Sequence, residues 1–358
     1  MKAVEALIKV SIYFGHYRWV EKSGIGQARV NQTTALALQD EAVDVSTRYA
    51  RDADIVHVNT IFPSSALLAR LAMRRGQAVI YHAHSTEEDF RNSFFGSNLL
   101  APLFGLWLRI CYRQCHLVLT PTPYSRRLLE TRYHLNRPVR DITNGIDLSA
   151  FRPDPERRRR FRERQGYRDD EQVVLSVGHY MERKGFPDFI RLARRHPERS
   201  FIWYGYTAAG VLSEEVRREL RNLPPNLKLP GFVPSYELAE AYAGCDIFVF
   251  MTHEETEGIV LLEALASDIP VLVRDIEIYR EWMTDGVDCY KATTLDEFSE
   301  RMEAVLEGRL PSTVAAGRHV ARQRSLPEVG RQLLAIYRRL LAEREEAQRK
   351  PGRARNRV

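Results

Sequence analysis

Short apolar runs separated by stretches with helical spacing recur along this chain, and that alternation limits the fold more than any other feature. Val10–Tyr13, Ile55–Val58, Ala78–Tyr81 and Leu117–Thr120 read as strands of the first half. Ser65–Arg74 reads as a helix with Leu67, Leu68 and Leu71 on one face. The second half repeats the scheme with Val173–Val177, Phe201–Tyr204, Ile247–Phe250 and Val271–Val273, and helices are expected near 185–195, 235–243, 258–267 and 294–307. Strand and helix in strict alternation make a parallel sheet covered on both faces. A seam is expected around 151–170, where Pro153, Pro155 and the run Glu156–Arg160 form a charged linker or a helix start. Two doubly wound α/β units would then face a cleft, with ligands beyond the carboxyl ends of their strands.

Composition narrows the class. A chain of 358 residues, 44% hydrophobic and 28% charged, is long enough for two folded domains and too apolar to be disordered. Of its 53 basic and 47 acidic residues, 18 and 13 fall in the first 150, so the basic excess sits in the first half. Such a surface attracts an anionic partner, lipid or nucleic acid. No interleaving of aromatic and basic residues supports nucleic acid. Cys111, Cys115, Cys245 and Cys289 offer neither a disulfide framework nor zinc spacing, and read as small buried side chains in a reducing cytoplasm. Lys2, Glu5 and Lys9 interrupt the first ten residues too early for a signal peptide. The tail Arg349–Val358 is basic.

The longest uncharged stretch, Asn92–Leu108, has 17 residues, fewer than the roughly 20 that span a bilayer. Its apolar part starts at Phe94 and is followed by Arg109 and Arg113. That order suits a segment lying at the lipid headgroups. A buried helix of the first domain is the alternative.

Four loops carry candidate chemistry. In Glu255-Thr256-Glu257-Gly258-Ile259 through Glu263, a strand leads into the loop and a helix leaves it. Glu255 and Glu263 would face one ligand, and the amides of Thr256 to Ile259 would meet a phosphate at the helix N-terminus. Carboxylates for hydroxyls beside amides for phosphate suggest a sugar nucleotide. In Gly178-His179 through Arg183-Lys184-Gly185, Lys184 is a candidate phosphate ligand with Arg183 beside it, a solvated loop lysine being the alternative. Gly24 and Gly26 open a helix after the first strand, without the third glycine of a dinucleotide fingerprint. His82 and His84 point to one side of an extended chain. A metal pair there lacks further ligands, which leaves a substrate-bonding or a structural histidine.

These pieces, in this order, resemble glycosyltransferase family 4. Glu255 and Glu263 look like its E-x7-E motif, Asn144-Gly145-Ile146-Asp147 like the end of its first domain, and Gly178 to Gly185 like its phosphate loop. His82–Phe94, Phe201–Thr207, Glu254–Ala266 and Pro270–Ile276 are similar to the bacterial 1,2-diacylglycerol 3-alpha-glucosyltransferases. The resemblance implies a GT-B fold of two Rossmann-like domains. The domains would be 1–155 facing acceptor and membrane, 156–325 holding the nucleotide sugar, and 326–358, a helix returning to the first with a basic tail.

What the resemblance implies for function is a retaining transfer of glucose from UDP-glucose to diacylglycerol. The protein would sit in the cytoplasm, peripherally on the inner face of an anionic membrane. Glu263 would hold the ribose hydroxyls and Glu255 the donor sugar. Lys184, with Arg183 or His179, would neutralise the diphosphate, and His84 would touch the sugar or the acceptor hydroxyl. No metal or other cofactor is expected. His179 stands where the family has Arg, Thr256-Glu257 where it has Gly-Phe, and Asp268 where it often has Gly. Rival readings are a sugar or polyprenyl acceptor on the same fold, a UDP-sugar epimerase, and a basic nucleic-acid-binding protein. Nothing in the pattern sets an oligomeric state.

Overall fold

The computed structural model describes residues 7–349; the first six residues and the basic tail from 350 on lie outside the described residues. Along the first half run β1 (Ile8–Tyr13), α1 (Gly24–Ala37), β2 (Val43–Ser46), β3 (Ile55–Val58), α2 (Pro63–Arg74), β4 (Ala78–His82), α3 (Glu87–Phe90), α4 (Ser97–Tyr112), β5 (Leu117–Thr120), α5 (Pro123–Arg132) and β6 (Val139–Asp141). The second half holds α6 (Pro155–Gln165), β7 (Val173–Val177), α7 (Phe186–Arg195), β8 (Ser200–Tyr204), α8 (Glu214–Arg221), β9 (Leu227–Gly231), α9 (Ser235–Gly244), β10 (Ile247–Phe250), α10 (Ile259–Ala266), β11 (Val271–Arg274), α11 (Glu277–Arg280), β12 (Tyr290–Ala292), α12 (Leu295–Leu306), α13 (Val314–Arg322) and α14 (Leu326–Arg349). By contact the chain forms two compact units. One takes residues up to His84, Gly105–Asn144 and those from Leu326 on; the other takes Ser85–Phe104 and Gly145–Ser325.

The first unit is built on a six-stranded parallel sheet in the order β2-β1-β3-β4-β5-β6. Its inner strands are buried end to end, which is why they read as unbroken apolar runs. Helix α14 completes its core: Leu326, Val329, Leu333, Tyr337 and Leu340 pack with Val10, Ile12, Ala35 and Leu36. Gly330 lets α14 come that close, since a Cβ there would lie 2.1 Å from the Ala35 carbonyl oxygen of α1.

Helix α2 forms where expected but turns the other way. Ser65, Ala66, Ala69 and Ala72 are its buried residues, while Leu67 and Leu71 are exposed. Small side chains let the helix lie close over β3 and β4, with Leu67 and Leu71 left on the outside and Leu68 half-buried.

The second unit has the strand order β12-β11-β10-β7-β8-β9, again all parallel. Its core gathers Phe186, Phe189, Phe201 and Trp203, edge-to-face at 5.0–5.4 Å between centroids. The arginine run is helix α6 and not a linker. Asp154 caps it by accepting from the Glu156 and Arg157 amides, and Gly166 ends it in the left-handed region. Buried Arg162 donates to Asp246 at 2.8 Å and to the Gly244 carbonyl at 3.2 Å, fixing α6 on the end of α9.

Candidate active site

In the second unit the strand order reverses between β7 and β10, so the loops after these two neighbours meet at a topological switch point. The loop after β7 runs from Gly178 to Gly185, and that after β10 from Met251 to Gly258. Gly185 has φ +71°, and a Cβ on it would lie 2.1 Å from the Met251 carbonyl oxygen, so the two backbones touch. The indole N–H of buried Trp203 donates to the Gly178 carbonyl at 2.7 Å, tying the start of the loop to the core. On the other loop, Asp188 Oδ2 lies 2.9 Å from His253 Nε2 and accepts from Arg274 at 2.7 Å, while Arg274 also donates to the Met251 carbonyl.

Lys184 and Glu255 come together here. The ammonium donates to Glu255 Oε1, and the Thr252 hydroxyl lies 3.1 Å from the same oxygen. Burial holds the Lys184 pKa below the usual lysine range, against the pull of Glu255. The Arg183 guanidinium is buried and committed to protein groups: Nη1 to Asp89 Oδ1 at 2.7 Å and to the Glu254 carbonyl at 2.9 Å, Nε to Ser93 Oγ at 3.1 Å. A guanidinium so engaged ties Asp89, Ser93 and the Glu254 carbonyl together.

Glu263 lies on α10 with one oxygen, Oε2, buried and without a hydrogen-bond partner. Burial pushes its pKa up to about 7, opposed by a hydrogen bond with Tyr242. An unfilled acceptor on a buried carboxyl suits a ligand hydroxyl. Gly258 caps α10 with φ +84°, and Ile259 is its first residue. Glu257 is buried and Thr256 half-buried. His179 Nδ1 lies 2.8 Å from the Tyr206 carbonyl, which can only accept, so Nδ1 carries the proton of the neutral ring. Burial lowers the His179 pKa.

In the first unit, Gly24 and Gly26 open α1 behind Ser23, whose hydroxyl accepts from the Ile25 amide. A Cβ on Gly26 would lie 2.1 Å from the Glu21 carbonyl oxygen, so that glycine serves loop closure; Gly24 is open. His84 stacks on His82 at 4.2 Å, and His82 on His57 at 5.4 Å, with planes within 7° of parallel. Parallel rings do not converge their nitrogens on one cation. His84 Nε2 lies 2.9 Å from Asn59 Oδ1, and His57 Nδ1 lies 2.8 Å from the Tyr337 hydroxyl. Desolvation lowers His57 and His84 to about 3, so both rings are neutral near pH 7.

Asn59, Asp89, Ser93, Thr252 and Tyr242 escaped the sequence reading. Asp89 and Ser93 lie inside the quoted stretch 82–94, and the acidic triplet Glu87-Glu88-Asp89 was the signal available. All four cysteines are buried and free. Among the described residues, one group of His and carboxylates is close enough for a cation, His196, Glu198 and Glu303. Arg199 binds Glu303 bidentately there, at 3.1 and 2.7 Å, and supplies the positive charge itself.

Helix α4 presents an apolar outer face. Leu99 is 83% exposed and Leu103 66%, with Leu100, Leu106 and Ile110 also exposed and Phe95, just before the helix, at 75%. Ala101, Leu108, Cys111 and Tyr112 form its buried side. Among the described residues no helix is long and apolar enough to cross a membrane.

Two family models match the chain, one described as Glycosyltransferase Family 4 over residues 28–150 and one as glycosyl transferases group 1 over 157–322. The processive diacylglycerol alpha-glucosyltransferase of Acholeplasma laidlawii is 35% identical over 336 residues, 93% of this chain and 99% of that one. The chain belongs to glycosyltransferase family 4. The alpha-galactosylglucosyldiacylglycerol synthase of Streptococcus pneumoniae is 29% identical over 76% of this chain and 72% of its own. Among solved structures, Anabaena HepE with UDP and glucose superposes with a TM-score of 0.72 at 16% identity, covering 93% of this chain and 100% of that one. Sucrose-phosphate synthase of Thermosynechococcus elongatus gives 0.74 at 14%, covering 94% and 100%. Both likenesses establish the GT-B fold. The protein is therefore a glycosyltransferase, with two parallel sheets of six strands as its scaffold.

Proposed function

We propose that this glycosyltransferase moves glucose from UDP-glucose onto 1,2-diacylglycerol at the surface of an anionic membrane, with retention of configuration. The observation that carries the reading is the outward apolar face of α4. A water-soluble acceptor leaves such a face without a partner, whereas diacylglycerol requires the enzyme to rest on a bilayer. Arg109 and Arg113 follow the leucines, and each cation near an anionic surface adds about 1 kcal/mol. The near full-length similarity to a diacylglycerol glucosyltransferase supports the same acceptor.

At the switch point, Glu263 accepts the ribose hydroxyls through its unfilled oxygen and Glu255 binds the donor sugar. Lys184 and the amides at the start of α10 receive the diphosphate. As the bond from the anomeric carbon to the β-phosphate oxygen breaks, negative charge grows on that oxygen, and fixed positive groups there lower the barrier. The diacylglycerol hydroxyl attacks from the same side, its oxygen bonds to the anomeric carbon, and its proton passes to the departing phosphate. Neutral His84, oriented by Asn59, hydrogen-bonds a sugar or acceptor hydroxyl. No carboxylate nucleophile, metal or other cofactor is required by this scheme.

Incubation with UDP- and GDP-sugars and diacylglycerol in anionic vesicles tests the reading. The expected product is α-glucosyl diacylglycerol, from UDP-glucose alone, with activity persisting in chelator. Transfer only to a soluble sugar or a polyprenyl phosphate overturns the acceptor, and release of a new UDP-sugar without acceptor overturns the transferase. A complete loss in chelator that Mg²⁺ restores overturns the metal-free scheme.

A further inference from the structure

Arg183 is buried and its partner Asp89 half-buried, and an ion pair so enclosed is weak evidence for stability. What it joins is more telling. Burial opposes ionisation of Asp89, and Arg183 and Lys184 favour it. On one side Arg183 holds the segment just before α4, its guanidinium on Asp89 and Ser93 and its amide on Asn92. The Arg183 amide donates to the Asn92 carbonyl at 3.1 Å. Asn92 and Asn98 bond reciprocally, amide to Oδ1 at 2.9 Å and Nδ2 to Oδ1 at 2.8 Å. Phe90 stacks on Phe104 at 4.1 Å and meets Phe94 edge-on. Leu99 and Leu103 project outward from this knot.

On the other side lies the donor loop. The Arg183 carbonyl accepts from the His253 amide at 2.7 Å, and the Thr252 hydroxyl, with one proton to give, lies 3.2 Å from that carbonyl and 3.1 Å from Glu255 Oε1. The next residue is Lys184. From the first turn of α4, hydrogen bonds run through Asn98, Asn92 and the Arg183 main chain to the loop that carries Thr252 and Glu255.

We propose that Asp89 and Arg183 are positioning residues that couple docking of α4 on a bilayer to donor binding at Lys184 and Glu255. The inference rests on the lipid reading given above. A bilayer that takes up the leucine face fixes the start of α4, and through the Asp89–Arg183 tie it fixes the backbone that carries Lys184. Coupling of this kind is reciprocal: donor tightens vesicle binding by the same factor as vesicles tighten donor binding.

The experiment measures UDP affinity by calorimetry with and without vesicles of phosphatidylglycerol and phosphatidylcholine, and vesicle flotation with and without UDP. In the wild type both are expected to shift by the same factor, about 5–10-fold. Asp89→Asn is expected to float as the wild type does but to lose the mutual shift, and Asp89→Glu to restore part of it. Ser93→Ala, which removes one bond to Arg183 and keeps the charge pair, is expected to reduce the shift and guards against misfolding of the first variant. An undiminished shift in folded Asp89→Asn and Ser93→Ala overturns the coupling, as does a wild type that floats with no change in UDP affinity. A wild type that does not float at all overturns the lipid reading itself, and the coupling falls with it.

Discussion

Lys184 and Glu255 bind each other across the two loops of the switch point, so each is the other's counter-ion. On the proposed reading, a donor diphosphate takes Lys184 from that carboxylate. Because the phosphate charge grows during reaction, the exchange favours the transition state over the bound ground state.

Lys184→Ala is therefore expected to lower kcat by about 100-fold or more, the scale of losing one preorganised donor to a developing oxyanion. The apparent donor affinity should fall much less. Steady-state kinetics with UDP-glucose decides this: a rise in KM at unchanged kcat makes Lys184 a ground-state handle.

In its proposed role at the ribose, Glu263 links donor binding to pH. Its carboxyl must be ionised to accept two ribose hydroxyls, and burial holds its pKa at about 7. UDP affinity should rise as pH is raised from 6 to 8. Glu263→Gln should abolish that slope and weaken binding by about 1.5–3 kcal/mol, the range for a hydrogen bond to a charged group. Stability runs the opposite way. The folded pKa lies above the unfolded one, so the buried carboxyl destabilises the fold as pH climbs from 4.5 towards 7. Chemical denaturation at several pH values should show the loss in wild type and a smaller one in Glu263→Gln.

Replacing Phe95, Leu99 and Leu103 together by Ser should leave the fold and, without vesicles, UDP binding intact, because all three side chains are exposed. Flotation with anionic vesicles should drop sharply, and added salt should weaken what remains. Phe94 is left in place because it packs on Phe90. A triple variant that floats fully removes α4 from the membrane contact.

Tyr337→Phe should destabilise by about 0.5–1.5 kcal/mol, since His57 Nδ1 loses its hydroxyl partner in a buried setting. Thermal unfolding measures it. No change would mean that Gln32, 3.1 Å from the same nitrogen, satisfies the ring by itself.

Strands β3, β5, β7 and β10 were legible to the residue because each is buried on both faces, which leaves a continuous apolar run. The edge strands β2, β6, β9 and β12 were not. Val139-Arg140-Asp141 and Leu227-Lys228-Leu229 are short, polar and half-exposed, as edges commonly are. For α2, periodicity marked the helix but could not tell leucine from alanine as the packing face. At the candidate site, Lys184 and Glu255 were legible because both follow buried strands. The Arg183–Asp89 pair was not legible because its members are 94 residues apart and no local pattern announces it.

Four times the chain passes from one compact unit to the other, at His84, Phe104, Asn144 and Ser325. A chimera that exchanges nucleotide specificity at the sequence midpoint would therefore separate Arg183 from its acidic partner. It would also orphan the leucine helix from the loop beneath it. The transplantable module is discontinuous: 145–325 together with the strip 85–104, grafted at both insertions.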